Sequence, residues 1–378
     1  VFEMSITTQA LVAPKANGSL KIQDIHLDDL RPNEALVEIH AVGICHADIS
    51  CLNGTIPVKF PCVFGHEGAG KILQIGSAIR NIIPGDKVIL SYNACYDCPT
   101  CLSGCPAYCH HMLKLNFGGT RLDDSYTMRT SDGSPISGNF FGQSSFSKTA
   151  IVSKSSIVKV PPNTPLQLLA PLGCGLQTGA GAIFNILNLS KGSSVVVFGT
   201  GAVGMAAIMA AKIRRVDIII AIDILQNRLA TARTLGATHA MEFNGSDSIL
   251  QIRTICGGVG ATCAIDTTGN ITVIEEMMEC LGPKGKGITI GAPSPGQKVK
   301  VDVFRHITLG RQYIGCNQGD SVPQEMIPIL IEQYFNGNFP VEKIVKIYDF
   351  ADFESALKDI KSGRTIKPVL IWPEASHL

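Results

Sequence analysis

Hydrophobic and polar residues alternate in short segments along the first part of the chain. Residues 20–25, 35–39 and 87–90 show this alternation, and Gly, Pro and Asn residues separate them. Successive side chains of a β-strand point to opposite faces of a sheet, so the pattern indicates half-buried strands joined by turns. We therefore predict an irregular, β-rich domain in this part of the chain.

The pattern changes after about residue 190. Continuous apolar stretches, which are typical of buried parallel strands, occur at 195–198, 216–222, 263–265 and 287–290. Helical stretches separate them, beginning with the Ala- and Met-rich residues 202–212. This alternation predicts an α/β fold, with a doubly wound parallel sheet covered by helices on both faces.

The composition argues against several classes of partner. The 378 residues are enough for two domains, only 17% of them are charged, and the net charge is +1. No basic region is available to bind nucleic acid or an anionic membrane surface. Residues 160–190 contain no charged residue, but their prolines and glycines argue against a membrane-spanning helix. We expect neither nucleic acid nor membrane as a partner.

Residues Gly199 to Gly204 match the G-x-G-x-x-G pattern of dinucleotide-binding turns. The motif follows an apolar strand and begins a helix, whose N-terminus favours phosphate. Gly199 allows the tight turn, Gly201 lets the backbone approach a pyrophosphate, and Gly204 permits close helix–strand packing. Asp223 ends the next predicted strand, where it would accept hydrogen bonds from ribose hydroxyls. A carboxylate repels a 2′-phosphate, and the next residue is Ile224, so we predict NAD rather than NADP.

Five cysteines lie close together between residues 95 and 109. Cys95, Cys98 and Cys101 follow the spacing C-x2-C-x2-C, and a fourth ligand could come from Cys105 or Cys109. Four thiolates bind zinc tetrahedrally in closed structural sites. The 13 cysteines of the chain are an odd number and no secretory signal is recognisable, which favours a reducing compartment. We predict a structural zinc site here.

Three further residues place soft metal ligands beside glycines: Cys45, His66 and Cys174. Taken singly, a buried cysteine is usually a small core residue, and a lone histidine is often only packed. Together they would form a Cys2His set that leaves a fourth position open, which is typical of a catalytic zinc.

These motifs together resemble the zinc-dependent medium-chain alcohol dehydrogenase family. Residues 65–67, the cysteine loop, residues 173–175 and the glycine turn occur in the family's order, and the match runs nearly from end to end. Residues 140–146 and 172–182 are especially similar to the aryl (benzyl) alcohol dehydrogenase branch.

The resemblance implies a GroES-like β-rich catalytic domain and a Rossmann domain. The expected boundaries are 1–174 for the catalytic zinc-binding domain, with its structural zinc lobe at 95–109, then 175–317 for the NAD-binding domain and 318–378 for the return to the catalytic domain. The segment from Arg121 to Pro135 resembles the longer loop of dimeric members, so a homodimer is expected.

The resemblance also implies two zinc ions per chain and roles for individual residues. The catalytic zinc would be held by Cys45, His66 and Cys174, with Glu67 close behind the metal and Asp48 orienting His66. The structural zinc would take Cys95, Cys98, Cys101 and Cys109, which leaves Cys105 as an extra thiol.

Cofactor contacts are implied at five further positions. Thr178 and Val203 would line the nicotinamide of NAD. His46, Arg228 and Lys367 fall where the family places groups that contact the cofactor's phosphates or ribose.

One position departs from the family pattern. The family usually has Ser or Thr next to the first zinc ligand, to pass the alcohol proton outward, but this chain has Ala47. Ser50 stands where a His often ends that relay. Alanine neither donates nor accepts a hydrogen bond, so one step of the relay is absent.

The expected activity is hydride transfer between NAD(H) and an alcohol or aldehyde, with zinc as the Lewis acid. Phe140 and Phe141 suggest an aryl or allylic substrate. Because of Ala47, a reductase of a conjugated C=C or an iminium is the alternative enzyme. A catalytically silent NAD-binding scaffold is the alternative from another class.

We expect the protein in the cytoplasm. The sequence ends in Ser376-His377-Leu378, which resembles the Ser-Lys-Leu peroxisomal address. Peroxisomes are therefore the alternative location.

Overall fold

The computed structural model describes residues 6–187, 189 and 191–373. The chain forms two compact units. The first unit comprises the residues up to 174, 322–331 and those from 344 onward, and the second unit comprises 175–321 and 332–343. The first stretch of the second unit therefore ends at residue 321, whereas the expected boundary was 317. Residues 332–343 also belong to the second unit. The C-terminal triplet 376–378 lies outside the described residues.

Eighteen strands are present in the described part of the chain. They are β1 Thr7–Ala13, β2 Lys21–Leu27, β3 Glu34–Gly43, β4 Cys62–Val63, β5 Glu67–Ile75, β6 Lys87–Leu90, β7 Met128–Thr130, β8 Pro135–Ile136, β9 Thr149–Ser153, β10 Ile157–Lys159, β11 Ser194–Phe198, β12 Ile218–Asp223, β13 His239–Glu242, β14 Ala261–Asp266, β15 Leu281–Thr289, β16 Gln312–Gly315, β17 Val345–Asp349 and β18 Lys367–Ile371.

The helices are short in the first unit and longer in the second. The α-helices are α1 His46–Leu52, α2 Pro99–Leu102, α3 Met112–Phe117, α4 Leu166–Leu169, α5 Gly175–Gly181, α6 Ala202–Ile213, α7 Gln226–Leu235, α8 Gly245–Ile255, α9 Ile271–Cys280, α10 Val303–Leu309, α11 Pro323–Phe335 and α12 Phe353–Lys361. A π-helical turn covers Ala182–Ile186, and 3-10 turns cover Pro106–Tyr108, Phe140–Gly142, Lys154–Ser156, Ala170–Gly173, Gln318–Asp320, Val341–Lys343 and Phe350–Asp352.

The first unit contains two sheets around an apolar core. One has the strand order β4-β1-β2-β7-β8, and the other has the order β10-β6-β5-β3-β18-β17, with β9 also paired to β3. Antiparallel pairing of β3 with β5 sets Gly43 opposite Glu67, and pairing of β18 with β3 sets Val369 opposite Gly43. A Cβ atom on Gly43 would lie 2.0 Å from the Glu67 carboxylate, so only glycine fits. This register brings three distant segments of the chain together.

The second unit is built on one parallel sheet with the order β13-β12-β11-β14-β15-β16. This is the strand order of the Rossmann fold, in which the order reverses beside the first strand. β11 is buried at all five positions, as its continuous apolar sequence predicts. The predicted α/β fold with a doubly wound sheet is confirmed.

Within the uncharged segment, residues 160–187 contain short elements, among them α4, the turn Ala170–Gly173 and α5. Across the described residues, no helix combines the length and the apolar character that crossing a bilayer would require.

Arg121 anchors the long segment that follows the cysteine loop. Its guanidinium donates to both carboxylate oxygens of Glu34, at 2.6 and 2.9 Å, and to Asp28 at 2.5 Å. Arg121 and Glu34 are only 6% and 7% exposed. The segment continues into β7 and β8, which extend the first sheet beyond β2.

We predict that Arg121→Met destabilises the protein by about 3 kcal/mol, because it leaves the carboxylate of Glu34 buried without its cation. Arg31→Met is the matched control, since Arg31 pairs with Asp123 where both side chains are about half exposed. Exposed pairs contribute only about 0–1 kcal/mol. Calorimetric unfolding of both variants checks this, and equal losses would contradict it.

Two candidate metal centres and a nucleotide-binding turn

Cys45, His66 and Cys174 meet at one point of the first unit. Cys45 follows β3 and caps α1, His66 immediately precedes β5, and Cys174 follows the turn Ala170–Gly173. Their ligand atoms, together with a carboxylate oxygen of Glu67, lie within 4.8 Å of one another. His66 is fully buried and Cys174 is 8% exposed. The register of β3 with β5 therefore assembles the ligand set that the sequence predicted.

Asp48 fixes the orientation of this site. Its carboxylate accepts hydrogen bonds from the backbone N–H of Cys45 at 2.9 Å and of Gly65 at 3.0 Å. It also lies 3.0 Å from Nδ1 of His66. Asp48 is 3% exposed, so these bonds are shielded from water. The arrangement keeps the proton of His66 on Nδ1 and leaves Nε2 as the ligand atom.

The remaining ring nitrogen of His66 shows that the site suits a metal. Nε2 is buried, and it has no hydrogen-bond partner within the described parts of the chain. A buried polar atom without a partner is costly, by about 1–3 kcal/mol. Two thiols and this nitrogen form the donor set that zinc prefers in open catalytic sites. The residues therefore fit a zinc ion.

The electrostatics of the site favour a thiolate at Cys45. The thiol of Cys174 donates to Cys45 and lowers the pKa of Cys45 well below its usual value, although burial opposes the shift. Burial alone would lower the pKa of His66, but the negative charges of Asp48 and Cys45 raise it well above its usual value. The same hydrogen bond, together with burial, raises the pKa of Cys174 well above its usual value, so the thiolate is favoured at Cys45 alone of the two.

A buried ion pair lies directly behind this site. Nζ of Lys367 donates to both carboxylate oxygens of Glu67, at 2.9 and 3.0 Å, and to the carbonyl of Ile44 at 3.1 Å. Burial raises the pKa of Glu67 to about 7, and the charge of Lys367 opposes that shift. Lys367 is only 2% exposed. The structure therefore places its ammonium at Glu67 and Ile44, and not at the surface, where the resemblance implied a contact with the cofactor's phosphates or ribose.

The cysteine loop forms a second cluster. Its ligand atoms come within 4.8 Å of one another and belong to Cys95, Cys98, Cys101 and Cys109. Cys105 is exposed and lies outside this group. Backbone N–H groups point at the sulfurs, as from His110 to Cys98 at 3.5 Å and from His111 to Cys109 at 3.4 Å. The N–H of His110 lowers the pKa of Cys98 to about 6, which favours the thiolate that zinc requires.

The glycine turn lies between β11 and α6 in the second unit. Gly199 has φ +85°, which favours glycine, and a Cβ on Gly204 would lie 1.9 Å from the carbonyl oxygen of Gly199. A Cβ on Gly201 would meet nothing within 4 Å. The turn therefore has open space at the position where a pyrophosphate approaches, so the residues fit a dinucleotide.

Asp223 ends β12 beside the turn. Its carboxylate accepts hydrogen bonds from the N–H and the hydroxyl of Thr200, both at 2.7 Å, and from the N–H groups of Ile224 and Leu225 at 2.8 and 3.0 Å. Asp223 is 7% exposed. These four bonds hold the carboxylate at the edge of the turn.

Thr178 and Val203 lie on two helices in close contact, α5 and α6. A Cβ on Gly179 would lie only 2.0 Å from the carbonyl oxygen of Val203, so the backbones nearly touch. Arg228 has a buried Nε without a hydrogen-bond partner among the described residues. His46 is exposed at the start of α1 in the first unit.

Phe140 and Phe141 lie in the packing around His66. The ring of Phe141 stacks on the imidazole at 4.4 Å, and the ring of Phe140 meets it edge-on at 5.4 Å. The two side chains are 2% and 1% exposed. Both rings therefore pack against His66, and little of either ring is accessible to a substrate.

Two residues beside the site, Gln143 and Ser91, were not predicted from the sequence. Gln143 donates to the carbonyl of His66, and Ser91 donates to the carbonyl of Gly173, next to Cys174. Neither belongs to a metal-ligand spacing or a cofactor motif. Their contacts become visible only when the strands are assembled.

Comparisons with known proteins agree with this geometry. Residues 31–162 match the family described as "Alcohol dehydrogenase GroES-like domain", and residues 202–334 match "Zinc-binding dehydrogenase". Geraniol dehydrogenase of Castellaniella defragrans is 37% identical over 97% of this chain and 98% of its own length.

Solved structures are similar over almost the whole chain. Benzyl alcohol dehydrogenase from Acinetobacter calcoaceticus is 36% identical with a TM-score of 0.93, covering 97% of this chain and 100% of the other. An alcohol dehydrogenase zinc-binding domain protein from Burkholderia ambifaria is 41% identical with a TM-score of 0.95, covering 98% and 100%.

The protein is an oxidoreductase with a GroES-like domain and a Rossmann domain. The chain belongs to the zinc-dependent medium-chain alcohol dehydrogenase family. It is a zinc-containing, NAD-dependent enzyme that acts on small alcohols and aldehydes, as predicted.

We predict two zinc ions per purified chain, because the structure contains two separate ligand clusters. Cys174→Ser should retain about one zinc and its fold but lose activity. Cys98→Ser should lose stability, because structural zinc contributes directly to folding. Elemental analysis and thermal unfolding check these outcomes; one zinc or none in the unmodified protein would contradict the assignment.

Proposed function

We propose that the enzyme interconverts an aryl or allylic alcohol and its aldehyde, using NAD(H). The observation that carries this proposal is the cluster of Cys45, His66 and Cys174, in which the buried Nε2 of His66 has no hydrogen-bond partner in the described structure. When bound, zinc supplies a Lewis acid to the substrate oxygen and NAD supplies the hydride acceptor.

Each unit has its own part in this proposal. The first unit is the catalytic domain, where Cys45, His66 and Cys174 hold the metal and Asp48 keeps His66 in position. Glu67, neutralised by Lys367, lies behind the ligands and stays out of contact with water. The second unit is the NAD-binding domain.

In the second unit, the glycine turn offers backbone N–H groups to the pyrophosphate and Asp223 accepts from the ribose hydroxyls. Thr178 and Val203 line the nicotinamide, and Arg228 and His46 contact the ribose or phosphates. Lys367 has the different role of neutralising Glu67.

Similarity to known proteins supports the substrate class. The relatives that match over the whole chain include a geraniol dehydrogenase and a benzyl alcohol dehydrogenase, and geraniol is an allylic and benzyl alcohol an aryl alcohol.

Ala47 is the observation that favours a second reaction. It has no hydroxyl to take the alcohol proton, and Ser50, one turn further on α1, is 7% exposed. An iminium becomes a neutral amine when it takes the hydride, so it needs no proton. A conjugated C=C takes the hydride on carbon and a proton on the neighbouring carbon from a different donor, so neither reaction needs a hydroxyl at this position. Conjugate reduction is therefore the second candidate function.

We propose a homodimer formed through the edge of the second unit. Strand β16 is the last strand of its sheet, and α10 has no buried residue. Val303, Phe304 and Ile307 on α10 are 67%, 74% and 71% exposed. An apolar patch beside an open sheet edge favours association with a second copy. Light scattering should give a dimer mass, and Phe304→Glu should shift it toward the monomer; a tetramer, or an unchanged dimer in the variant, would contradict this.

We propose the cytoplasm as the location of the enzyme, in keeping with its free thiols at metal-ligand spacing. A fluorescent fusion with a free C-terminus tests the peroxisomal alternative. A diffuse signal identical to that of a variant without residues 376–378 supports the cytoplasm, and a punctate peroxisomal signal contradicts it.

We predict that NAD(H) is preferred over NADP(H) by at least about tenfold in kcat/KM, which corresponds to ~1.4 kcal/mol. The charge of Asp223 at the edge of the turn repels a 2′-phosphate. Asp223→Asn should reduce the preference, whereas Asp217→Asn, an exposed carboxylate in the same unit, should leave it unchanged. Steady-state kinetics with both cofactors checks this, and equal efficiency in the unmodified enzyme would contradict the role of Asp223.

We predict that the enzyme reduces cinnamaldehyde to cinnamyl alcohol, and that Ala47→Ser raises alcohol oxidation near neutral pH. General acid–base assistance is worth about 10²–10⁴-fold, so a restored hydroxyl should accelerate proton release. Ser50→Ala is the partner variant, since it removes the nearest substitute hydroxyl on α1. Product analysis and NADH absorbance measure both effects; saturated aldehyde as the product would favour the conjugate reductase instead.

A further inference from the structure

The amide of Gln143 connects three backbone groups beside the Cys45–His66–Cys174 site. Its nitrogen donates to the carbonyl of His66 at 2.9 Å and to the carbonyl of Ser91 at 3.0 Å. Its oxygen accepts from the N–H of Gly68 at 3.1 Å. Gln143 is 0% exposed. The side chain therefore fixes the backbone at His66 and at Gly68, at the start of β5.

Ser91 continues this connection to the other ligand-bearing segment. Its hydroxyl donates to the carbonyl of Gly173 at 2.7 Å, and Gly173 immediately precedes Cys174. A Cβ on Gly173 would lie 2.0 Å from the carbonyl oxygen of Leu90, so this segment is pressed against the end of β6. Hydrogen bonds through Gln143 and Ser91 thus connect the backbone of His66 with the backbone of Gly173, next to Cys174.

The loop that carries Gln143, residues 140–146, is held in a strained conformation. Phe141 and Ser144 both have positive φ, at 53° and 47°. The hydroxyl of Ser144 donates to the carbonyl of Val63 at 2.7 Å, and the N–H of Ser145 donates to the carbonyl of Gly65 at 2.9 Å. Such strain persists where surrounding contacts fix it, often at functional sites.

We propose that Gln143 is a positioning residue, which holds the segments of His66 and Cys174 in register so that the catalytic zinc site is formed before the metal binds. The proposal rests on the proposed function in that this ligand set binds the catalytic zinc. Groups that fix the geometry of metal ligands typically change metal affinity or activity by about 10–100-fold when they are removed. Gln143 acts on backbone, so its effect reaches two ligands at once.

A purely structural role predicts a different result. A buried amide that only satisfies backbone groups would lower the stability of the first unit when it is replaced, and both zinc sites would be affected equally or not at all. A positioning role predicts that only the catalytic zinc is bound less tightly. The two zinc sites in one chain therefore provide an internal comparison.

The test measures the release of zinc from the purified, zinc-loaded enzyme into a colorimetric chelator. The catalytic phase is identified as the one that Cys174→Ser lacks. Gln143→Met, which keeps the length of the side chain but removes its hydrogen bonds, should accelerate this phase by about tenfold or more and leave the structural phase unchanged. The visible spectrum of the cobalt-substituted variant should also change, because it reports ligand geometry.

Ser91→Ala is the second variant and decides the question if Gln143→Met does not fold. It removes the hydroxyl that bonds to the carbonyl of Gly173 and should also accelerate the catalytic phase. Ser248→Ala is its matched control, since Ser248 is a serine of the second unit that is 1% exposed and bonds to the backbone of Asn244. The control should leave both phases unchanged.

Two results would overturn the proposal. One is a catalytic release rate in Gln143→Met or Ser91→Ala equal to that of the control, with an unchanged cobalt spectrum. The other is equal acceleration of both phases, which would show general destabilisation. An unmodified enzyme that binds two zinc ions but converts no alcohol would refute the proposed function, and the release rates would still decide the role of Gln143.

Discussion

The carboxylate of Asp48 is the constraint on which the site depends. It joins the end of β3, the start of β5 and the imidazole of His66 through three hydrogen bonds of 2.9 to 3.0 Å. With Nδ1 occupied in this way, His66 presents Nε2 to the thiols of Cys45 and Cys174. A buried carboxylate is stable only when it is fully hydrogen-bonded, so the fold around Asp48 and the geometry of the ligands are fixed together.

The charges around the ligands explain why the first unit tolerates such a polar interior. Lys367 neutralises Glu67, and both side chains are almost completely buried. A buried pair is often no more stable than apolar side chains of the same size, so its presence is better explained by the site than by stability. The hydrogen bond from Cys174 lowers the pKa of Cys45 well below its usual value, and the resulting thiolate suits a divalent cation, which links the electrostatics of the unit to its chemistry.

The sequence predicts those features that depend on short spacings. The cysteine loop and the glycine turn are local patterns whose chemistry follows from the spacing itself, and the apolar stretches predict the parallel sheet of the second unit because such strands are buried on both faces. The Cys2His set could be predicted only from the combination of three motifs and their resemblance to a family.

Contacts between distant segments were not predictable in this way. Lys367 was expected at the cofactor, but the pairing of β18 with β3 directs its ammonium to Glu67, which lies 300 positions earlier. Phe140 and Phe141 were expected to line the substrate, and the left-handed turn at Phe141 instead packs both rings against His66. The bonds of Gln143 depend on the same long-range register, and no local pattern encodes them.

Anomalous diffraction at the zinc absorption edge, measured on crystals of the zinc-loaded enzyme, tests the central claim most directly. The account predicts a peak about 2.3 Å from the sulfurs of Cys45 and Cys174 and about 2.0–2.1 Å from Nε2 of His66, with Nδ1 still bonded to Asp48. A peak bound through Nδ1, or the absence of zinc between these three residues, would contradict it.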